Sequence, residues 1–339
     1  MTLKLAQGLH FHRYRVSGLV LASELHLPEL TPLQDQPVTE GPEILVRLAG
    51  EGHHFPKISD WFLTMTLPDG EPWLSCGRVA AGSTSNASYL LHFPGLGDFL
   101  VDAAGQEIAC KAKPGTGEEA LRHLLLNQVL PLVLNLRGRE VLHATTVLTP
   151  AGACAFTGQT GSGKSTLAAG FLLAGYPVIS DDCLLLDERN GRIAAIPAYP
   201  GIRLWDDALE ALHGAHEKFP TTAPYTTKRR LLVPNQREQF PTEPVPLARV
   251  YCLEGPAGCH EAEPLSPPSI RHLRRRDSFM HLLPCLFRLD IQDRAMLTRQ
   301  FLFLDRLVAR VPVRQLVVPP DFSSLPLARE AVLADLRTG

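Results

Sequence analysis

Along the first 113 residues, apolar and polar positions alternate in short runs: "YRVSGLVLAS", "EILVRLAG", "WFLTMTL", "SYLLHF" and "FLVDAAGQEIACKAK". Gly, Pro, Asp and Asn punctuate them, which predicts a β-rich part built of short strands. At "KPGTGEEALRHLLLNQVLPLVLNLRG" the period becomes helical, with Thr116 as N-cap and Glu119 completing a capping box. This switch divides the chain into 1–113 and 114–339. Two apolar runs joined by Pro150–Gly152 then predict a hairpin, its second strand leading into a glycine-rich loop. "KSTLAAGFLLAG" reads as an amphipathic helix stopped by Gly175 and Pro177. "PVISDD" gives a short strand and an acidic turn, and "CLLLDERNGRIAAIP" a hairpin about Asn190-Gly191. "LARVYCLE" predicts a core strand, "SIRHLRRRDSFMHLL" and "QDRAMLTRQFLFLDRLVARV" helices, "VRQLVV" a strand and "LPLAREAVLADLR" a last helix.

Composition narrows the class. With 339 residues, 45% hydrophobic and 20% charged, the chain has the make-up of a globular protein of about two domains. Lys and Arg number 33 against 35 Asp and Glu, a formal charge of −2. That balance argues against nucleic acid or an anionic membrane as the main partner. The most apolar stretch, "LRHLLLNQVLPLVLNLRG", is broken by His123, Asn127, Gln128 and Pro131. It falls short of the ~20 apolar residues of a membrane span, so a buried helix is expected. No secretory signal pattern precedes the first strands, and the seven cysteines are scattered without a C-x-x-C pair. Reduced thiols in a cytoplasmic setting are expected, with Cys259-His260 in a surface loop.

The chemistry concentrates between residues 143 and 182. Gly158-Gln-Thr160-Gly161-Ser162-Gly163-Lys164-Ser165 matches G-x-x-x-x-G-K-[ST] at every fixed position. Its glycines let backbone N–H groups turn inward around phosphate oxygens. Lys164 supplies charge to the β- and γ-phosphates, Ser165 a hydroxyl to Mg²⁺, and Thr166 opens the helix with its positive dipole end. Asp181 and Asp182 follow Lys164 by only 17 and 18 residues, at the end of the next strand. One carboxylate at that place can bind Mg²⁺, directly or through water, and the other can orient an incoming hydroxyl and take its proton. His143, read as lying in the strand that pairs with the one entering the loop, is a packed core residue or an imidazole aimed at phosphate. Arg203, Lys228 and Arg229 are candidates for holding the nucleotide or the acceptor. Arg271–Asp277 reads as the polar face of a helix.

Together these residues resemble the catalytic domain of HPr kinase/phosphorylase, where a histidine precedes a hairpin, a phosphate loop, a helix and an Asp-Asp pair. The resemblance implies an α/β fold like that of phosphoenolpyruvate carboxykinase: a P-loop domain with a mixed β-sheet, here preceded by the β-rich N-terminal part. It implies a cytoplasmic serine kinase using ATP and Mg²⁺, with Asp182 as base and with Lys164 and His143 near the transferred phosphate. Ser165 and Asp181 would stand near the metal. It also implies a peptide or small-protein acceptor and a homo-oligomer. The front end is similar to that of HPr-kinase-related proteins, some of which phosphorylate a precursor peptide. The bifunctional enzymes carry Glu-x-Arg-Gly-x-Gly beyond the acidic pair, and "PAYPGIRLWDDAL" has no such Glu. Two other readings stand beside the peptide kinase: a kinase of a small hydroxylated metabolite, and a nucleotide-binding regulatory module with little transfer.

Overall fold

The computed structural model describes residues 11–30, 33, 42–50, 52–58, 61–67, 69–79, 88–213, 221–223, 226–231, 240–254 and 267–338. Cys259 and His260 lie outside the described residues. The protein is mixed α/β with several mixed sheets, and it divides into two compact units, Met1–Arg137 with Arg288–Arg294, and Gly138–Phe287 with Ala295–Gly339.

In the first unit the strands are β1 (His12–Val16), β2 (Leu19–Ser23), β3 (Ile44–Leu48), β4 (Leu63–Thr66), β5 (Pro72–Val79), β6 (Ser88–Phe93), β7 (Gly97–Val101) and β8 (Glu107–Ala112). They form one sheet in the order β1-β2-β3-β8-β7-β6-β5-β4. Seven of the eight follow the alternating runs; β5, "PWLSCGRV", opens on Pro72 and carries Gly77, so it lacks the expected signal. The helical stretch continues as α1 (Glu118–Leu124), a π-helical turn Leu125–Val129 and α2 (Leu130–Leu136). Pro131 has no N–H for the turn before it, and the widened turn absorbs that loss. The stretch groups with the first unit, so the units meet at Arg137/Gly138 and not at 113/114. The reason is burial: Ala120, Leu121 and Leu124 are covered, and a Cβ on Gly97 of β7 would lie 3.3 Å from Leu121. The capping box does not form. Gly117 is the N-cap with no side-chain bond, and the Thr116 hydroxyl donates to the Gly95 carbonyl at 3.4 Å.

The second unit holds β9 (Glu140–Leu142), β10 (Ala144–Thr149), β11 (Gly152–Thr157), α3 (Lys164–Leu173), β12 (Val178–Ser180), β13 (Leu184–Arg189) and β14 (Arg192–Ile196). After these come β15 (Ile202–Leu204), α4 (Asp206–His213), β16 (Thr221–Ala223), β17 (Thr226–Leu231), β18 (Val245–Leu253) and β19 (Ser269–His272). The chain closes with α5 (Arg275–Leu282), α6 (Arg294–Arg310), β20 (Val313–Val317) and α7 (Leu325–Arg337). The main sheet runs β12-β10-β11-β18-β14-β13-β9, with β20 parallel to the far half of β18 and β19 at its edge. A small sheet, β15-β17-β16, stands apart from it.

Period-two alternation puts helices on both faces of the main sheet. Cys154, Phe156, Tyr251 and Leu253 share one core with α3 and α7; Ala153, Ala155, Val250 and Cys252 share the other with α6. This explains α3: with Leu167–Leu172 buried it is covered on most sides, not amphipathic. Ser269–His272, expected as helix, is strand because the edge of β20 offers it a ladder, and the helix starts at Arg275. The Arg271–Asp277 stretch is therefore split between a strand end and a helix start. Both sequence-predicted hairpins form: Ala144 to Thr149 pair with Thr157 to Gly152, and Arg189 pairs with Arg192 across Asn190-Gly191. Among the described residues no helix is long and apolar enough to cross a membrane.

Candidate active site

β11 delivers the chain into the glycine-rich loop, and α3 begins directly after it. Gly158 has φ +145°, and a Cβ there would lie 2.7 Å from the Leu253 carbonyl, so the loop can leave the sheet only without a side chain. Gly163, at φ +87°, is the N-cap of α3. Lys164 is buried at 6% exposure, with its ammonium donating to the carbonyls of Gly158 and Gln159 at 2.9 Å each. Burial lowers the Lys164 ammonium from its usual value, and the charge of Lys228 acts in the same direction against Asp182. Thr160 and Gly161 are exposed at the tip, and Ser162 and Thr166 are half-buried.

The two aspartates have different surroundings. Asp181 Oδ1 accepts from the Thr145 hydroxyl and from the Ser165 hydroxyl, both at 3.1 Å. Its Oδ2 accepts from the backbone N–H of Arg203 at 3.0 Å and from Arg203 Nε at 3.2 Å. Four bonds therefore occupy Asp181, which fixes Ser165 at the start of α3. Asp182 adopts φ +66°, a left-handed conformation that few residues other than Gly, Asn and Asp tolerate. That turn aims its carboxylate away from Ser165, to within 4.0 Å of His143 Nε2, while Arg203 Nη2 donates to it at 2.9 Å. Burial alone would raise the Asp182 carboxyl. Arg203, then His143, Lys228 and Lys164, outweigh that effect and hold it well below the usual carboxylate range.

His143 is not in the paired strand. It occupies the bend between β9 and β10, where the chain changes partners from β13 to β11. Its N–H leaves the ladder to donate to the Cys285 carbonyl at 2.6 Å, and its ring meets Phe287 edge-on at 6.1 Å. Burial lowers its pKa, as does Lys164, while Asp182 opposes them. A histidine whose folded pKa lies below the unfolded value of about 6.5 costs no stability above that pH and a growing amount below it. The melting temperature of the wild type is therefore expected to fall more between pH 7 and pH 5 than that of His143→Gln. Equal falls in calorimetry would show that His143 titrates as it does unfolded.

Of the basic candidates, Arg203 is buried and spans both carboxylates, so it acts as their counter-ion. Lys228 lies 5.2 Å over the ring of Trp205, and its charge is felt at Asp182, His143 and Lys164. Arg229 alternates to the other side of β17 from Lys228 and pairs with Asp206 at 2.6 Å. Thr145 and the Cys285 carbonyl belong to the site although nothing in their local sequence marks them. Among the described residues, no group of three or more His, Cys, Asp or Glu could hold a metal ion.

No family model matches the chain, and no curated protein matches it. Among solved structures, the chain is similar to the HPr(Ser) kinase/phosphatase from Coxiella burnetii. The identity is 14% and the TM-score 0.32, over 58% of this chain and 97% of that one.

Proposed function

We propose that the chain is an ATP-dependent phosphotransferase that moves the γ-phosphate to a serine or threonine hydroxyl of a peptide or small protein. One observation carries the reading: Ser165 of the phosphate loop donates to Asp181 at 3.1 Å, while the adjacent Asp182 is turned by its left-handed backbone toward His143. One carboxylate thus organises the loop and the other faces an incoming group. On nucleotide binding, the Lys164 ammonium exchanges the carbonyls of Gly158 and Gln159 for phosphate oxygens, and Lys228 adds its charge. Asp182 orients the acceptor hydroxyl and receives its proton as phosphate transfer proceeds. The negative charge of the triphosphate raises the carboxyl from its depressed value, which makes it a better proton acceptor. His143 positions Asp182.

Mg²⁺ fits the donor set, since Ser165 and Asp181 offer hard oxygens and such ions take one or two protein ligands beside phosphate and water. When bound, the ion would neutralise charge on the phosphates. Asp181 already accepts four bonds, so its share in holding the ion runs through water. A polypeptide acceptor is favoured over a small metabolite because Trp205, 43% exposed beneath Lys228, offers an open apolar and cationic shelf.

The test is a transfer assay with ATP and Mg²⁺, offering HPr-like protein, short peptides and small hydroxylated metabolites, read by mass spectrometry. Phosphoserine or phosphothreonine in a polypeptide is the expected product. Label confined to metabolites would overturn the acceptor class. Tight ATP binding with no acceptor labelled would make the chain a nucleotide-binding module.

A further inference from the structure

The basic stretch from Arg271 to Asp277 takes no part in the candidate site, yet it opens onto a surface of its own. α5 and α6 run antiparallel, joined by Arg275 to Asp305 at 2.7 Å and, one turn on, by the rings of Phe279 and Phe301 with centroids 4.6 Å apart. Around that seam Met280 is 59% exposed, Phe301 55% and Leu302 53%. They are three of the four most exposed large apolar side chains among the described residues. One such residue alone is ordinary on a protein surface, whereas several gathered on one helix pair mark a place where something docks.

The rim of this surface carries an excess of positive charge. Arg274 pairs with Asp277 and Arg275 with Asp305, so the acids there are already matched. Arg271 and Arg276 are exposed and have no acidic partner among the described residues. Ile270 packs on the core beneath α7, so period-two alternation turns Arg271 to the opposite side of the sheet, the side that α6 covers. Arg276 stands one helical turn before Met280, on the same stripe of α5. Free guanidiniums beside exposed Met and Phe are the make-up of an interface. Their sign selects an acidic partner that also carries apolar side chains. A two-fold pairing with a second copy would instead bring a second set of the same guanidiniums into the contact.

The same helix leads to the acid pair. α5 continues through the turn Leu283–Cys285, and the Cys285 carbonyl accepts from the N–H of His143 at 2.6 Å. The eight residues of α5 cover roughly 12 Å. An extended peptide crosses that length in about four residues. We infer that the α5–α6 surface docks an acidic segment of the acceptor polypeptide. Its apolar side chains lie against Met280, Phe301 and Leu302, and its carboxylates face Arg271 and Arg276. The inference rests on the phosphotransferase reading for the identity of the partner. A serine or threonine farther along the anchored polypeptide then reaches Asp182 as an intramolecular event, at an effective concentration well above its free one.

The probe is a fluorescein-labelled peptide of Glu interspersed with Leu and Phe, followed by a flexible Gly-Ser tail; a control peptide has Lys at every Glu. Anisotropy with the full chain, without nucleotide, measures docking alone. Wild type is expected to bind the acidic peptide roughly tenfold or more tightly than the control, and less tightly as ionic strength rises. Arg276→Glu is expected to reverse that preference, and Phe301→Ser to weaken the acidic peptide several-fold. Arg276→Glu places an acid in the first turn of α5, where the helix dipole favours it, so it decides the matter should Phe301→Ser disturb packing on Phe279. Equal binding of the two peptides, or an acidic-peptide affinity unchanged in both variants, would overturn the inference. So would a wild-type dimer in sedimentation that either variant makes monomeric, which would give the surface to a second copy. With ATP and Mg²⁺ added, phosphorylation of the tail serine is expected, with KM raised and kcat kept in Arg276→Glu. Docking with the expected variant dependence but no transfer would uphold the surface and count against the phosphotransferase reading alone.

Discussion

Asp182→Asn is expected to lower phosphate transfer by about 10²–10⁴-fold, the usual worth of a positioned proton acceptor, with ATP affinity unchanged or slightly improved. Asparagine is the informative replacement because it tolerates the left-handed backbone at φ +66°, keeps the shape, and still accepts a bond from Arg203. What it removes is one negative charge and the capacity to take a proton. Loss of that charge relieves repulsion of the triphosphate, so ATP should bind no worse. The check is kcat from single-turnover transfer beside the dissociation constant for ATP. Transfer that survives in the variant would end the claim of Asp182 to the base role. A parallel loss of transfer and binding would mean that Asp182 holds the loop together.

Arg203→Met is expected to cost about 3–5 kcal/mol of stability at neutral pH, the range for breaking a buried ion pair from one side. Arg203 is 5% exposed and donates to the side chains of both aspartates and to the carbonyl of Asp181. Without it two adjacent carboxylates share a buried site with no guanidinium, and burial then raises the carboxyl of Asp182 that Arg203 had depressed. The sign follows from linkage. In the wild type the depressed carboxyl stabilises above its unfolded pKa of about 3.9 and loses that contribution as pH falls. In the variant a raised carboxyl prefers to bind a proton, so its penalty grows with pH and shrinks in acid. Urea unfolding at pH 7.5 and pH 4.5 should therefore show a deficit that is much smaller at the lower pH. A deficit equal at both would assign the loss to packing around Ile202 and Leu204.

The sequence was most informative where a local rule forces the backbone. Gly158, Gly163 and Asn190-Gly191 need left-handed or mirror conformations, and the loop and hairpin they imply are present. The helix stopped at Gly175 follows the same logic. It was least informative where a partner far along the chain decides. "SIRH" has no strand pattern of its own and becomes β19 because β20 presents an edge. Thr116 is a good N-cap residue whose hydroxyl Gly95 captures instead. His143 leaves its ladder for the Cys285 carbonyl, more than a hundred residues later.

The acid pair shows this limit most sharply. Nothing in "SDD" distinguishes the two carboxylates, which were expected to divide metal binding and proton transfer in an order the sequence left open. Thr145, Ser165 and Arg203 saturate Asp181, and a single dihedral angle at residue 182 points the second carboxylate elsewhere. Arg203, a candidate from its charge for holding nucleotide or acceptor, is buried against both aspartates, a partnership the sequence did not mark.

The short segment Arg288–Arg294 belongs to the first unit although some 150 residues of the second unit separate it from Arg137. Its Asp290 is fully buried and accepts from Arg78 and from Tyr89, the latter at 3.2 Å. A ribosome delivers the chain from its N-terminus at roughly 5–20 residues per second, so Arg78 and Tyr89 are made long before their partner, by on the order of ten to forty seconds. The first unit is thus made with its sheet complete but without the buried carboxylate that Arg78 and Tyr89 donate to, which arrives only when most of the second has been synthesised. Cutting the gene at the domain boundary would leave that same gap permanently.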